Sequence, residues 1–249
     1  GNMWRFDLSN ASAASWTSAS PLFAAKDGLN NPQPITNAPE VTLNSIAGNM
    51  VLFGTGKFLE PGDTTSTAVQ TFYGIQDTGS TVSGRGALIP QVINATTRVV
   101  SQGCGGPAQP ACSTTPQGWY ADLPIVGEKL TGSPKLLASN VYFNTFIPST
   151  SPCKFGGDGY LMGVDYMTGA MAPAGTFDTN NDGTIDSNDT AVGGILVGAA
   201  LGGTTLIRGS AGSTVGVGVS STTDGKTPTD LIDFGVGSRG RINWREIVQ

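Results

Sequence analysis

The chain has 249 residues, 38% hydrophobic and 12% charged, with 36 glycines and 15 prolines, a balance that suits an all-β domain of short strands and polar turns and disfavours long helices. A net charge of −5, with no Lys/Arg run to neutralise consecutive phosphates, argues against a nucleic-acid partner and for a cation. The chain has no histidine, which excludes Ser-His-Asp and Cys-His relays and the His ligands of catalytic zinc.

In chain order, "GNMWRFDLS" alternates Met3, Arg5 and Asp7 with Trp4, Phe6 and Leu8, which predicts a half-buried strand with the three apolar residues on one face. It lacks the basic start and apolar run of a signal peptide. Residues 16–40 pass through Pro and Asn clusters and read as a loop. "VTLN" and "GNMVLFGTGKFL" then predict two strands, the second with Val51 and Phe53 on one side and Leu52 on the other. "GTGKF" lacks the full phosphate-loop pattern and reads as a strand ending in a glycine turn. "TFYGIQDTGS" predicts a strand from Thr71 to Ile75 closed by a turn. "KLLASNVYFNTFIP" predicts another, with Val141, Phe143 and Thr145 opposite Tyr142, Asn144 and Phe146. Farther on, Ile195, Leu196, Val197, Leu201, Leu206 and Ile207 make the small-residue stretch too apolar for a linker and predict glycine-rich strands. No apolar run is long enough for a transmembrane segment.

"GNMWRFD", "GNMVLFGTG" and "GDGYLMGVDYMTGA" echo one another in outline: a glycine, an apolar strand and a turn. Echoes of this kind point to β-propeller blades, which typically take about 40–50 residues each, so four or five blades are expected here. Because the chain opens and closes inside strand-like segments, the propeller is expected to continue beyond it. An ordinary β-sandwich is the alternative.

Cys104 and Cys112 flank "GGPAQPA", a Gly- and Pro-containing loop short enough to bring two sulfurs together, which predicts a disulfide in an oxidising compartment; two separate thiols are the rival reading. Cys153 is left over, either buried or paired outside the chain.

"FDTNNDGTIDSNDT" gathers four of the chain's few carboxylates into one loop. Set against the calcium pattern D-x-[DN]-x-[DN]-G, it matches at Asp178, Asn180, Asp182 and Gly183 and then offers the Thr184 carbonyl, Asp186 and Asp189. Alternate residues turn oxygens toward a hard cation while Gly183 permits the sharp turn, and Ile185 is expected to point away and anchor the loop in the core. Asp189 stands where a Glu is usual; alternatively Asp186 completes a compact loop. Carboxylates this close repel by roughly 1 kcal/mol per pair in water, and a cation removes that repulsion. Calcium is expected over magnesium, which demands tighter octahedral geometry. The loop supplies its own ligands and has no adjacent acid-base pair or nucleophile, so the expected role is structural or regulatory, and the protein is read as no enzyme.

"GNMWRFDLS", "LFGTGKFLE", "QTFYGIQD", "GWYADLP" with "GEK", "VYFNTFIPSTSPCKFGGDGYLMGVDYMTG", "FDTNNDGTIDSND" and "GRINWREI" occur in the order in which the chain resembles the C-terminal domain of the PilY family of type IV pilus proteins. The resemblance implies an all-β fold, a modified quinoprotein-like β-propeller of which residues 1–249 form a C-terminal portion, with a calcium loop at 178–189. It implies a pilus biogenesis factor and adhesin at the pilus tip, on the surface of a Gram-negative-type bacterium. Such a factor opposes retraction, supports adhesion and twitching motility, and meets major and minor pilins and host or abiotic surfaces. Carried over by position, the ligands would be Asp178, Asn180, Asp182, the Thr184 carbonyl and Asp186, with Asp189 open. The family's long N-terminal region is not among these residues and no RGD tripeptide occurs, so receptor binding is not carried over. The alternative is a quinoprotein-like dehydrogenase with calcium and a quinone in the central channel.

Overall fold

The computed structural model describes residues 1–235 apart from 9, 17–18, 45, 47, 108, 152–155, 174, 200–202 and 211–212. Among them there is no α-helix, only three short 3₁₀ turns, and the strands form four sheets. The first sheet pairs β1 (Asn2–Arg5) with β2 (Ser20–Ala24). The second contains β3 (Glu40–Leu43), β4 (Asn49–Gly54), β5 (Thr71–Asp77), β6 (Ile89–Ile93), β7 (Val100–Gln102) and β8 (Gly118–Asp122) in the order β3-β4-β5-β8-β6-β7. The third contains β9 (Lys129–Leu130), β10 (Lys135–Leu137), β11 (Asn140–Pro148), β12 (Gly157–Asp158), β13 (Tyr160–Asp165) and β14 (Gly194–Leu196), centred on β11 and β13. The last is the meander β15 (Thr204–Arg208), β16 (Val215–Ser220) and β17 (Thr229–Asp233).

Each sheet is one contiguous stretch of chain, and consecutive sheets pack face to face, the arrangement of propeller blades rather than of a two-sheet sandwich. Among the described residues no sheet closes on itself, in keeping with stacked blades that make part of a propeller ring. The count of four meets the lower expectation, but sheets of two, six, six and three strands depart from regular four-stranded blades.

Side-chain alternation explains the stacking. On β4, Val51 and Phe53 join Leu22 and Phe23 of β2 in one core cluster, while Met50 and Leu52 turn to the other face and meet Val141, Phe143, Met162 and Val164 of the third sheet. Phe72 and Phe143 stack across that second interface with centroids 3.9 Å apart. Tyr142 and Leu161 point away from it toward Ile232 and Phe234. The two six-stranded sheets are thus apolar on both faces, and each fully buried large side chain contributes about 1.5–3 kcal/mol.

A buried ion pair adds a polar tie. Arg98 holds Glu128 through two bonds of 2.9 and 3.2 Å and lies 3.4 Å over the Tyr160 ring of β13. The Cys104–Cys112 disulfide is formed, with Cα atoms 5.0 Å apart; Cys153 and "GRINWREI" lie outside the described residues.

Three expectations are corrected. Trp4, Phe6 and Leu8 are not buried on a sheet face: they are 50%, 62% and 56% exposed. The strand ends at Arg5 after a bulge between Met3 and Trp4; Met3 packs against the core and Arg5 reaches Asp77. The stretch read as a loop contains β2, whose Pro21 masks a short strand in sequence and whose apolar residues pack inward. In the glycine-rich region the strands are present, yet Leu196 and Ile207 are exposed while Val197 is buried; Leu201 is outside the described residues.

Candidate metal centre

The acidic loop leaves the third sheet after β13 and returns at β14. Its entry is pinned to the fourth sheet: Phe177 bridges Ile232 on β17, the Asp233 N–H donates to the Thr176 carbonyl (2.9 Å) and the Asp178 N–H to that of Leu231 (3.3 Å). Phe177 is fully buried beside Ile232 and Phe234. It does the anchoring expected of Ile185, which is only partly buried; an aromatic residue immediately before the first aspartate was the available sequence signal.

Beyond Phe177 the loop closes on itself. Gly183, at φ 88°, occupies the left-handed turn the pattern requires, and its N–H donates to Asp178 Oδ2 (2.9 Å). The Asp182 N–H donates to Asn180 Oδ1 (2.9 Å), and the Asn180 amide to Asp182 Oδ2 (3.0 Å). Asp182 Oδ1 accepts from the Thr184 N–H and hydroxyl at 2.9 and 2.7 Å. Asp189 reaches back across the loop: Oδ1 accepts from the N–H groups of Thr179 (2.6 Å) and Asn180 (3.2 Å), and Oδ2 from that of Asp186 (3.0 Å). Asp186 accepts from the Asn188 N–H (2.7 Å) and amide. Thr179, which sequence reading passed over, locks the ends together: its hydroxyl donates to Asp189 and accepts from the Thr190 N–H.

These bonds favour the ionised carboxylates. The Thr184 hydroxyl and N–H hold Asp182 below the usual carboxylate range, and the Asp186 N–H, with those of Thr179 and Asn180, does the same for Asp189.

All six predicted residues therefore belong to one self-bonded loop. Among the described residues no three Asp, Glu, Cys or His side chains converge on a common point as a ready metal cluster; the carboxylates are instead engaged with loop N–H groups. The donor set of the calcium pattern is broader, because it includes the Asn180 amide oxygen and the Thr184 carbonyl. One atom has no role in the hydrogen-bonded loop: Asp178 Oδ1, at the first position of the pattern, is buried without a partner. A hard divalent cation satisfies such an oxygen, and in that respect the residues fit calcium.

Comparison with known proteins gives four findings. Residues 1–100 match the family model described as the PilY1 beta-propeller domain. The chain is 34% identical over 199 residues to a type IV pilus biogenesis factor PilY1 homolog of Xylella fastidiosa, covering 69% of this chain and 13% of the relative. It is 29% identical to the type IV pilus biogenesis factor PilY1 of Pseudomonas aeruginosa, covering 99% of this chain and 25% of the relative. The crystal structure of the Pseudomonas aeruginosa PilY1 C-terminal domain is similar with a TM-score of 0.73 and 26% identity, over 95% of this chain and 56% of that one. The chain thus spans a quarter or less of the length of these curated relatives.

Proposed function

Because the chain belongs to the PilY family as part of its C-terminal β-propeller domain, we propose that it works in type IV pilus biogenesis as a calcium-binding, non-enzymatic component at the pilus tip. In this reading it promotes assembly by opposing retraction, supports adhesion and twitching motility, and contacts the major and minor pilins from outside the cell. Support for the pilus role comes from relatives named as pilus biogenesis factors; none of those compared is named as an enzyme.

The observation that carries the calcium part is the orphaned Asp178 Oδ1 at the head of a loop whose spacing follows the calcium pattern. Asp178, Asn180, Asp182, the Thr184 carbonyl and Asp186 would hold the ion, with Asp189 as a ligand or as the brace across the loop. Bound calcium supplies charge neutralisation and no reaction step. The chain's own contribution is the anchor: with Phe177 and Asp178 tied to β17, ordering the tip by calcium fixes the surface beside the fourth sheet, and that surface is where pilus contact is proposed.

Titration calorimetry tests this. The unaltered chain is expected to bind calcium, and Asp186→Ala to bind it at least about tenfold more weakly, a loss in line with altering even the outer support of a metal site, with an unchanged circular dichroism spectrum. In cells the same variant is expected to impair control of retraction. No calcium binding by the unaltered chain rejects the metal; equal affinity in Asp186→Ala rejects the ligand assignment.

A further inference from the structure

The fourth sheet is one strand short of a regular four-stranded blade: β15, β16 and β17 form an antiparallel meander of three. The β17 edge is met by Phe177 and Asp178 of the acidic loop. The open place therefore lies along β15, at the other edge of the sheet from the candidate metal centre.

Hydrogen-bond alternation shows which β15 groups are free. The Gly209 N–H donates to the Val215 carbonyl (3.2 Å), which continues the register Ile207↔Val217 and Thr205↔Val219. Bonded and non-bonded residues alternate along an antiparallel pair, so Thr205 and Ile207 bond to β16 while the N–H and C=O groups of Leu206 and Arg208 point out of the sheet. Among the described residues no backbone group pairs with them. Solvent reaches this edge, because Thr205, Ile207 and Arg208 are exposed and Leu206 is partly so. It has neither the proline nor the bulge that commonly protects an edge strand.

Charge narrows what fits there. A groove of about 370 Å³ runs beside β15, walled by Lys135, Leu136 and Leu137 of β10 and by Thr204, Thr205 and Leu206. Lys135 shares the face of its register partner Tyr142, and Arg208 that of Gly216, so both belong to the faces that the third and fourth sheets turn toward each other. Both are exposed, and neither has a carboxylate partner among the described residues. In a chain of net charge −5, this is a local excess of positive charge beside an open backbone edge. On the other face of β15, Ile207 is 53% exposed.

We infer that the β15 edge binds an extended segment of a partner polypeptide as a fourth, antiparallel strand whose side chains alternate between acidic and apolar. The acids lie on the side of Lys135 and Arg208, the apolar residues on the side of Ile207. Main-chain bonds to Leu206 and Arg208 supply affinity, and the alternation supplies selectivity. The contact requires neither calcium nor a pilus partner.

The test uses the whole chain, without calcium, and a capped heptapeptide alternating valine and glutamate. Hydrogen exchange followed by NMR is expected to be fast at the Leu206 and Arg208 amides of the free chain and to slow about tenfold or more once the peptide saturates it. A heptapeptide alternating valine and lysine is expected to bind roughly tenfold more weakly, the effect of turning two exposed charge pairs from attraction to repulsion. Arg208→Glu should narrow that preference. The decisive control is the first peptide with its glutamate nitrogens methylated, which keeps charge and apolar surface but loses the main-chain bonds; its binding is expected to disappear. No binding of the first peptide, equal binding of the methylated or the lysine peptide, or an unchanged preference in Arg208→Glu overturns the inference. So does slow exchange at both amides in the free chain, which assigns the edge to another segment of this chain if independent of protein concentration and to a second copy if it grows with concentration.

Discussion

Across the interface between the second and third sheets, Phe72 stacks on Phe143 at 3.9 Å amid Met50, Leu52, Trp119, Met162 and Val164, all buried. In the loop at 178–189, Asn180, Asp182 and Asp186 are exposed and their partners are N–H groups a few residues away. The interface is stabilised by the removal of apolar surface from water, which requires no bound ion. The loop is stabilised by short-range polar bonds that compete with water and with any bound cation. One region therefore sets whether the sheets stack; the other responds to what is dissolved around them.

The largest break in this contrast comes from Phe143→Ala, expected to cost about 3–5 kcal/mol through the cavity it leaves. Denaturant unfolding should show a stability lower than that of the unaltered chain by that amount, and this difference should be the same with and without calcium. If calcium closed the difference, interface and loop would be one energetic unit. Arg98→Met is next, at about 3–5 kcal/mol or somewhat less, because it leaves the Glu128 carboxylate buried and unpaired; Arg98→Met combined with Glu128→Leu should recover much of the loss in the same measurement.

Calcium should act in the opposite sense and only through the loop. At a hundredfold excess over its dissociation constant it is expected to add about 2.7 kcal/mol to unfolding free energy, an increment that thermal melts of Asp186→Ala should show at about half that size or less.

The smallest effect is acid sensitivity. The folded values of Asp182 and Asp189 are lowered, so their contribution is fully present above the ordinary Asp value of about 3.9 and is lost as pH falls through the lower folded values. Calcium binding followed by calorimetry should hold down to that range and disappear below it. Tyr73 titrates at the other extreme. Burial pushes its hydroxyl up to about 12, so the stability it confers is present below the unfolded value near 10 and is lost as pH rises toward about 12. Alkaline unfolding beginning near pH 10 would mark the packing between the first and second sheets, where Tyr73 lies, and leave the loop's acid response untouched.

Local patterns were legible wherever a residue's own neighbours in sequence decide its state. The alternation of Val51 and Phe53 against Leu52, the strand at Val141–Phe146, the Cys104–Cys112 pairing and the turn at Gly183 all follow from period, loop length and positive φ. They are short-range properties, written in adjacent residues. Tertiary structure alone decided which faces found a partner. Trp4, Phe6 and Leu8 alternate with polar residues as a half-buried strand does, yet β1 stops at Arg5 and all three are exposed, whereas the apolar run of β4 is buried on both faces between neighbouring sheets. Likewise, the anchoring of the acidic loop by Phe177 on β17 and the meeting of Gln91 with Thr168 join residues 55 and 77 positions apart. No local period encodes such a contact, because its energy comes from burial between sheets, which exists only once they have stacked.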